Sequence, residues 1–276
     1  MSSAIRKIMV TGAGGFLGRH LSAALRESGY ETLCFDHSQL DITDKKRVES
    51  VVNDCHPDIV VHCAAISSTS YAKEHPDEAF LINVTGSTNV AAACKSAGAG
   101  LFVMSSDQVY GGCSIPGPLS ENLELSPNNT YGEQKFLMEK KVLDILPDAV
   151  ALRLSWMFEA FKASHTHEDI IAKLTRLRES GEIKASTREY RGMTDVDVVC
   201  QNIIRAFGNL EGGVYNFGAG NESDTFTTLR EVARRSGIPE DRIVPDDSWG
   251  RNLSMDCRKA ARFGIYFPST IDGISI

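Results

Sequence analysis

The stretch VTGAGGFLG, residues 10–18, decides how the rest of the chain is read. It follows the apolar run KIMV and opens FLGRHLSAALRESG, whose apolar residues recur at helical spacing and which closes at Gly29. Strand, glycine turn and helix in that order begin a β-α-β unit. Glycines at 12, 15 and 18 carry no side chain to obstruct a tight turn, to keep backbone away from a pyrophosphate, or to hold the helix off the strand. The helix N-terminus adds partial positive charge where phosphates would lie. Asp36 ends the next strand, ETLCFD, at the distance where an acid accepts hydrogen bonds from adenosine ribose hydroxyls. Its charge repels a 2′-phosphate and no arginine follows it directly, so NAD(H) is the favoured cofactor and NADP(H) the second choice.

Working outward, KIMVTG, ETLCFD, PDIVVHCAA, GLFVMSS and AVALRLSW read as strands separated by turns or helices. That alternation predicts an α/β fold with a doubly wound parallel sheet. HCAA sets Ala64 and Ala65 at a strand end, small enough to lie beside a cofactor and equally suited to ordinary core packing. After Trp156 the rhythm changes to a polar loop, the helix-like THEDIIAKLTRLRESG and TDVDVVCQNIIRAFGN, then the strand GVYNFGAG. The expected division is a Rossmann domain over 1–155 plus about 196–219, with a smaller substrate-binding lobe over about 156–195 and 220–276.

The chain has 276 residues, 42% of them hydrophobic, enough for a sizeable core. A net charge of −7 excludes a general basic footprint for nucleic acid or an anionic membrane. No run of 18 apolar residues and no leader-like opening are visible, so neither a membrane span nor secretion is expected. Seven cysteines without a CxxC pair, with Cys34, Cys63 and Cys200 inside apolar runs, fit a reducing cytoplasm. SHTHEDI gathers His165, His167, Glu168 and Asp169, but these acids suit a helix N-terminus, and no metal site is expected.

Two polar segments lie where open α/β sheets place ligands, beyond the carboxyl ends of strands. LFVMSSDQVYGG ends a strand in Ser105, Ser106 and Asp107. TYGEQK, residues 130–135, puts Tyr131 and Lys135 on one face of a helix, one turn apart. A lysine there can stabilise a phenolate and lower the tyrosine pKa, so Tyr131 can serve as an acid. Ser106 can hold a substrate carbonyl while Tyr131 passes a proton to it. Trp156 either stacks on a sugar or fills the core between lobes. Arg251 and Asn252, in GRNLS, could meet a pyrophosphate or a hydroxyl.

The loop TGxxGxxG with SSDQVYG and YGEQK resembles the extended short-chain dehydrogenase/reductase family. LDITD, PDIVVHCAA, INVTGS, LRLSWMF and RNLSMDCRK are similar to its dTDP-4-dehydrorhamnose reductase branch. The resemblance implies a Ser106–Tyr131–Lys135 catalytic set accompanied by Asp107. It also implies cofactor contacts from Phe16, Leu17, Asp41, Ile42, Asn83 and Lys135, a substrate contact from Ser67, a nucleotide-sugar substrate and a homodimer. TSYAK at 69–73 departs from the branch's usual loop, which leaves the sugar open, and the segment after FPSTIDGISI lacks the branch's expected final amphipathic helix. The family's dehydratases resemble TDEVYG where this chain has Gln108, an amide that cannot act as the base for eliminating water. An epimerase, or a cofactor-binding regulatory subunit like the methionine adenosyltransferase β-subunit, is the alternative to a 4-keto sugar reductase.

Overall fold

Six parallel strands form the sheet on which the rest of the chain is arranged. The structure, a computed structural model, describes residues 5–159, 174, 177 and 181–274. The first half runs β1 (Lys7–Thr11), α1 (Phe16–Glu27), β2 (Glu31–Phe35), α2 (Lys45–Cys55), β3 (Ile59–His62), α3 (Thr69–Glu74) and α4 (Pro76–Phe80). A π-helical turn over Leu81–Gly86 leads into α5 (Ser87–Ala97) and β4 (Gly100–Ser106). A single 3₁₀ turn, Asp107–Tyr110, precedes α6 (Thr130–Ile145) and β5 (Val150–Leu154). The strand order is β2-β1-β3-β4-β5, with β10 (Gly213–Phe217) added beside β5. The chain leaves β1 in one direction and returns on its other side as β3, so the crevice at the strand ends opens between these two. The doubly wound α/β architecture expected from the alternation is the one observed.

Alternate residues of β1 face opposite layers, and each layer has its own core. Ile8 and Val10 meet Leu17, Leu21 and Leu25 of α1, with Val199 and Ile203 of a later helix. Met9 faces Val48 and Val52 of α2, Val90 and Cys94 of α5, and Met138 and Val142 of α6. Burial on both faces is why these strands read as continuous apolar runs.

Beyond β5 the chain makes short parallel pairs. β6 (Trp156–Phe158) pairs with β9 (Met193–Asp195), β7 (Ile183–Ser186) with β11 (Ile243–Asp246), and β8 (Glu189–Arg191) with β12 (Arg251–Leu253). Between them α7 (Val196–Ala206) supplies Val199 and Ile203 to the first core, and α8 (Thr225–Arg235) packs Leu229, Val232 and Ala233 on Phe158, Ala185 and Met193. The segment 258–267 falls in the range the sequence assigns to the smaller lobe. Its Ala260 and Ile265 are nonetheless buried in the core beneath α1 and α7. The helix-like 166–181 and its histidine cluster lie outside the described residues, apart from 174, 177 and 181.

A buried polar chain ties the central strands together. Thr11 Oγ1 lies 2.6 Å from His62 Nδ1, His62 Nε2 lies 3.0 Å from Ser87 Oγ, and the Ser87 hydroxyl donates to the Asn83 carbonyl at 2.8 Å. Since the Ser87 proton is committed to Asn83, Nε2 must carry the imidazole proton and Nδ1 must accept from Thr11. His62 is therefore neutral, and burial lowers its pKa to about 3. An unfolded histidine takes up a proton near pH 6.5 and the folded one does not. This residue's contribution is thus complete above pH 6.5 and is lost as pH falls towards 3, at up to about 1.4 kcal/mol per pH unit. Urea unfolding at a series of pH values should show that loss, and His62→Gln should flatten the profile over this range.

Candidate active site

The glycine loop is shaped by what a side chain would strike. Gly12 has φ of +69°, and a Cβ there would lie 2.5 Å from the Ala64 nitrogen. A Cβ on Gly18 would lie 2.1 Å from the Gly12 carbonyl oxygen, which only glycine avoids. α1 begins at Gly15 with no side-chain cap, whereas Asp44 caps α2 and Asn129 caps α6. The first N–H groups of α1 are therefore left without a side-chain acceptor. This cradle fits the pyrophosphate of a dinucleotide. Asp36 lies beside the loop, with its Cβ 3.5 Å from where a Gly14 Cβ would sit. One carboxylate oxygen accepts from the Ser38 hydroxyl and the Ser38 and Gln39 amides, and these bonds, led by the hydroxyl, hold its pKa below the usual range. The Asp36 charge is therefore present at neutral pH.

A cleft of about 410 Å³ runs from this loop to the end of β4. Phe16, Leu17, Ala65, Ser67, Ser106, Asp107, Tyr131, Lys135, Trp156 and Arg251 all line it, as the sequence reading places them. α6 reaches it because Gly132 lets the helix lie directly on the 3₁₀ turn, where a Cβ would be 2.4 Å from the Gln108 carbonyl oxygen. Asn129 fixes the helix start by accepting from the Gly132 N–H at 2.9 Å. The Tyr131 phenol thereby meets Ser106. Lys135 Nζ donates to the Met104 carbonyl at 2.8 Å and lies 5.7 Å from the Tyr131 ring centre.

Electrostatics here correct one expectation. The Tyr131 pKa is raised, not lowered: burial first and the Asp107 charge second push it up, against an opposing hydrogen bond from Ser106. Burial in turn lowers Lys135 to about 8, with Cys63 and Glu139 opposing the fall.

Several other candidate residues do not line this cleft. Asn83 is wholly buried, and its amide accepts from the Ile66 N–H at 2.8 Å while donating to the Ile66 carbonyl and Gln134, so it positions the Ala65–Ser67 segment and does not face the cleft. Asp41 is exposed, its carboxylate held by the amide and hydroxyl of Thr43. Ile42 packs where a Gly86 Cβ would be, and Ala64 backs Gly12. Asn252 faces a groove beyond β12, donating to the Ile115 carbonyl at 2.9 Å. Trp156 lines the cleft and packs on the smaller core. Among the described residues no three metal-ligating side chains cluster.

Three residues that the sequence reading did not single out complete the site. Arg191 enters from β8, with Nη2 2.7 Å from Asp107 Oδ2 and its guanidinium 4.8 Å over Trp156. Glu139, one turn beyond Lys135, accepts two hydrogen bonds from Arg153, at 2.9 and 2.7 Å, and one from Ser105. Arg153 also donates to the Tyr110 hydroxyl at 2.7 Å, which donates to Asn216. The repeat Tyr131, Lys135, Glu139 on one helix face was a readable signal. For Arg191 there was none, because its place depends on the β8–β12 pairing.

A family model described as RmlD substrate binding domain matches residues 6–260. The chain belongs to that family. The dTDP-4-dehydrorhamnose reductase of Mycobacterium tuberculosis is 33% identical over 255 residues, covering 90% of this chain and 81% of that one. Methionine adenosyltransferase 2 subunit beta of Xenopus laevis is 26% identical over 281 residues, covering 94% and 83%. The crystal structure of the Bacillus anthracis dTDP-4-dehydrorhamnose reductase in complex with NADP superposes with a TM-score of 0.88 at 25% identity, covering 99% and 98%.

Removing Glu139 alone strands the buried Arg153 charge, so Glu139→Ala should lose about 3–5 kcal/mol in urea unfolding. Replacing both partners with apolar residues, Glu139→Leu with Arg153→Met, should recover most of that loss.

Proposed function

We propose that this protein is an NAD(P)H-dependent reductase of a 4-keto nucleotide sugar, of the dTDP-4-dehydrorhamnose reductase kind. The observation that carries the reading is the meeting of Ser106, Tyr131 and Lys135 in one cleft with the glycine loop. The loop's Gly12, Gly15 and Gly18 with Asp36 would hold the dinucleotide, and the smaller lobe would take the sugar nucleotide. The bound nicotinamide supplies the hydride. The Ser106 hydroxyl orients the ketone oxygen, and Tyr131 gives it a proton as charge develops there. Burial that keeps Tyr131 protonated suits an acid, the role a reductase needs, and suits less well the base that an epimerase requires at its oxidative step. Lys135 supplies positive charge beside the ring as the phenol loses its proton. Arg191 and Arg251 line the cleft where they can hold a diphosphate. Gln108 offers an amide, not a base, where the dehydratases carry a carboxylate for eliminating water. The complete catalytic set argues against a purely regulatory subunit, despite the likeness to the Xenopus β-subunit.

NADH oxidation with a panel of dTDP-4-keto sugars tests the reading. Tyr131→Phe should bind dinucleotide normally and lose about 10²- to 10⁴-fold in kcat. In the unaltered protein, kcat/KM should fall as pH rises through about 8, where Lys135 gives up its charge. Unchanged turnover in the phenylalanine variant would remove Tyr131 from the reaction.

The ionised Asp36 favours NADH over NADPH by repelling the 2′-phosphate. The KM ratio of the two cofactors should favour NADH, and Asp36→Ala should narrow it. Equal KM values in the unaltered protein would overturn this preference and leave the reductase reading intact.

A further inference from the structure

Two arginines of the smaller lobe reach across the cleft to consecutive residues of the larger one. Arg191 ends β8 and binds Asp107, Nη2 to Oδ2, at 2.7 Å. Arg251 starts β12 and donates through Nη1 to Gln108 Oε1 at 3.2 Å. Gln108 Nε2 in turn donates to Asp107 Oδ1 at 3.2 Å, so the four residues form one hydrogen-bonded chain along the cleft wall.

The two arginines are held in different ways. Arg251 is anchored by Glu189, Nε to Oε1 at 2.7 Å, and the cleft partner it meets among the described residues is a neutral amide. The Arg191 Nε is shut off from solvent and has no acceptor among the described residues. Each guanidinium carries five N–H donors in a fixed fork, so both retain capacity for a second acceptor. A dianionic diphosphate offers stronger, charge-assisted bonds than the Gln108 amide and competes with Asp107 on equal chemical terms. Asp107 is 1% exposed, and its Oδ2 is bound by Arg191 alone among the described residues.

We propose that Asp107 and Gln108 are built-in competitors for the substrate's diphosphate: they hold Arg191 and Arg251 until a diphosphate draws the arginines away, which frees Asp107 Oδ2 to accept a hydroxyl of the sugar. This rests on the reductase reading for the identity of the anion. The exchange makes the sugar acceptor conditional on the activating group, so a sugar without a diphosphate meets an Asp107 still occupied by arginine. The Asp107 charge also bears on Tyr131, so the exchange reaches the proton donor.

The probe is thymidine diphosphate, titrated calorimetrically into the full chain in phosphate-free buffer. Removing the competing charge with Asp107→Asn should tighten binding about five- to tenfold, although the same change impairs turnover. Adding a charge with Gln108→Glu should pair Arg251 more firmly and weaken binding by a similar factor. A residue that merely supports the fold would weaken binding in both variants or leave it unchanged in both. Affinity for thymidine diphosphate that is unchanged or weaker in Asp107→Asn, in a variant that still melts cooperatively, overturns the proposal. So does the absence of binding to the unaltered protein. Should Asp107→Asn fail to melt cooperatively, Gln108→Glu decides alone, weaker binding supporting the exchange and unchanged binding overturning it. The two readings separate cleanly. Turnover of a 4-keto sugar without the expected affinity order removes the exchange and keeps the reductase, whereas that order without turnover on any sugar does the reverse.

Discussion

The ion pair between Glu139 and Arg153 is the constraint on which the candidate site depends. Both side chains are almost wholly buried, and removing two charges from water costs several kcal/mol per ion before any attraction is recovered. An apolar contact would hold α6 to β5 at lower cost, but it would leave the helix free to slide or turn by a fraction of a residue. Two parallel hydrogen bonds from a planar guanidinium allow neither. Tyr131 and Lys135 stand two turns and one turn before Glu139 on the same helix face, so the pair sets the depth at which both enter the cleft. Through Tyr110 and Asn216, Arg153 also links β5 to the turn after β4 and to β10. Acid, lysine and strand end are thereby parts of one rigid network.

Two close backbone approaches do for position what the ion pair does for orientation. At one side of the cleft α1 lies on the Gly12 carbonyl because Gly18 has no side chain. At the other, α6 lies on the Gln108 carbonyl because Gly132 has none. Glycine costs conformational entropy in a helix, up to about 1 kcal/mol relative to alanine. Here it is accepted twice, at the first turn of the helix that would hold the dinucleotide and at that of the helix bearing the proton donor. The two helices sit on opposite faces of one sheet, so these contacts fix the distance between the groups that must cooperate.

What could be read from the sequence followed the range of each interaction. The glycine loop, Asp36, and the Tyr131–Lys135 spacing are local patterns, and the structure brings them to one crevice. The strand alternation gave the sheet because each buried strand announces itself by composition. Asn83 was legible as part of the site but not its task, since its partners Ile66 and Gln134 are distant in sequence. Spacing on a helix shows that Lys135 is near Tyr131 but not how deeply the phenol is buried, and burial is what raises its pKa. Arg191 was invisible for a further reason: its role exists only once a two-stranded ladder of three residue pairs in the smaller lobe has formed and turned it towards Asp107.

The π-helical turn at Leu81–Gly86 has a meaning for how the chain can change over evolutionary time. Such a turn is an α-helix carrying one residue more than its hydrogen-bond register requires. Side chains before and after it are dephased, and Asn83 within it bonds Ile66 and Gln134. Deleting any one residue of the turn would restore regular winding and rotate everything upstream by about 100° relative to α5. The segment therefore has a counting rule as well as a composition rule: a substitution at the exposed Leu81 keeps the register, while a single-codon deletion withdraws Asn83 from the segment it holds. A lineage that shortened this helix would have to find another anchor for the wall of the cleft.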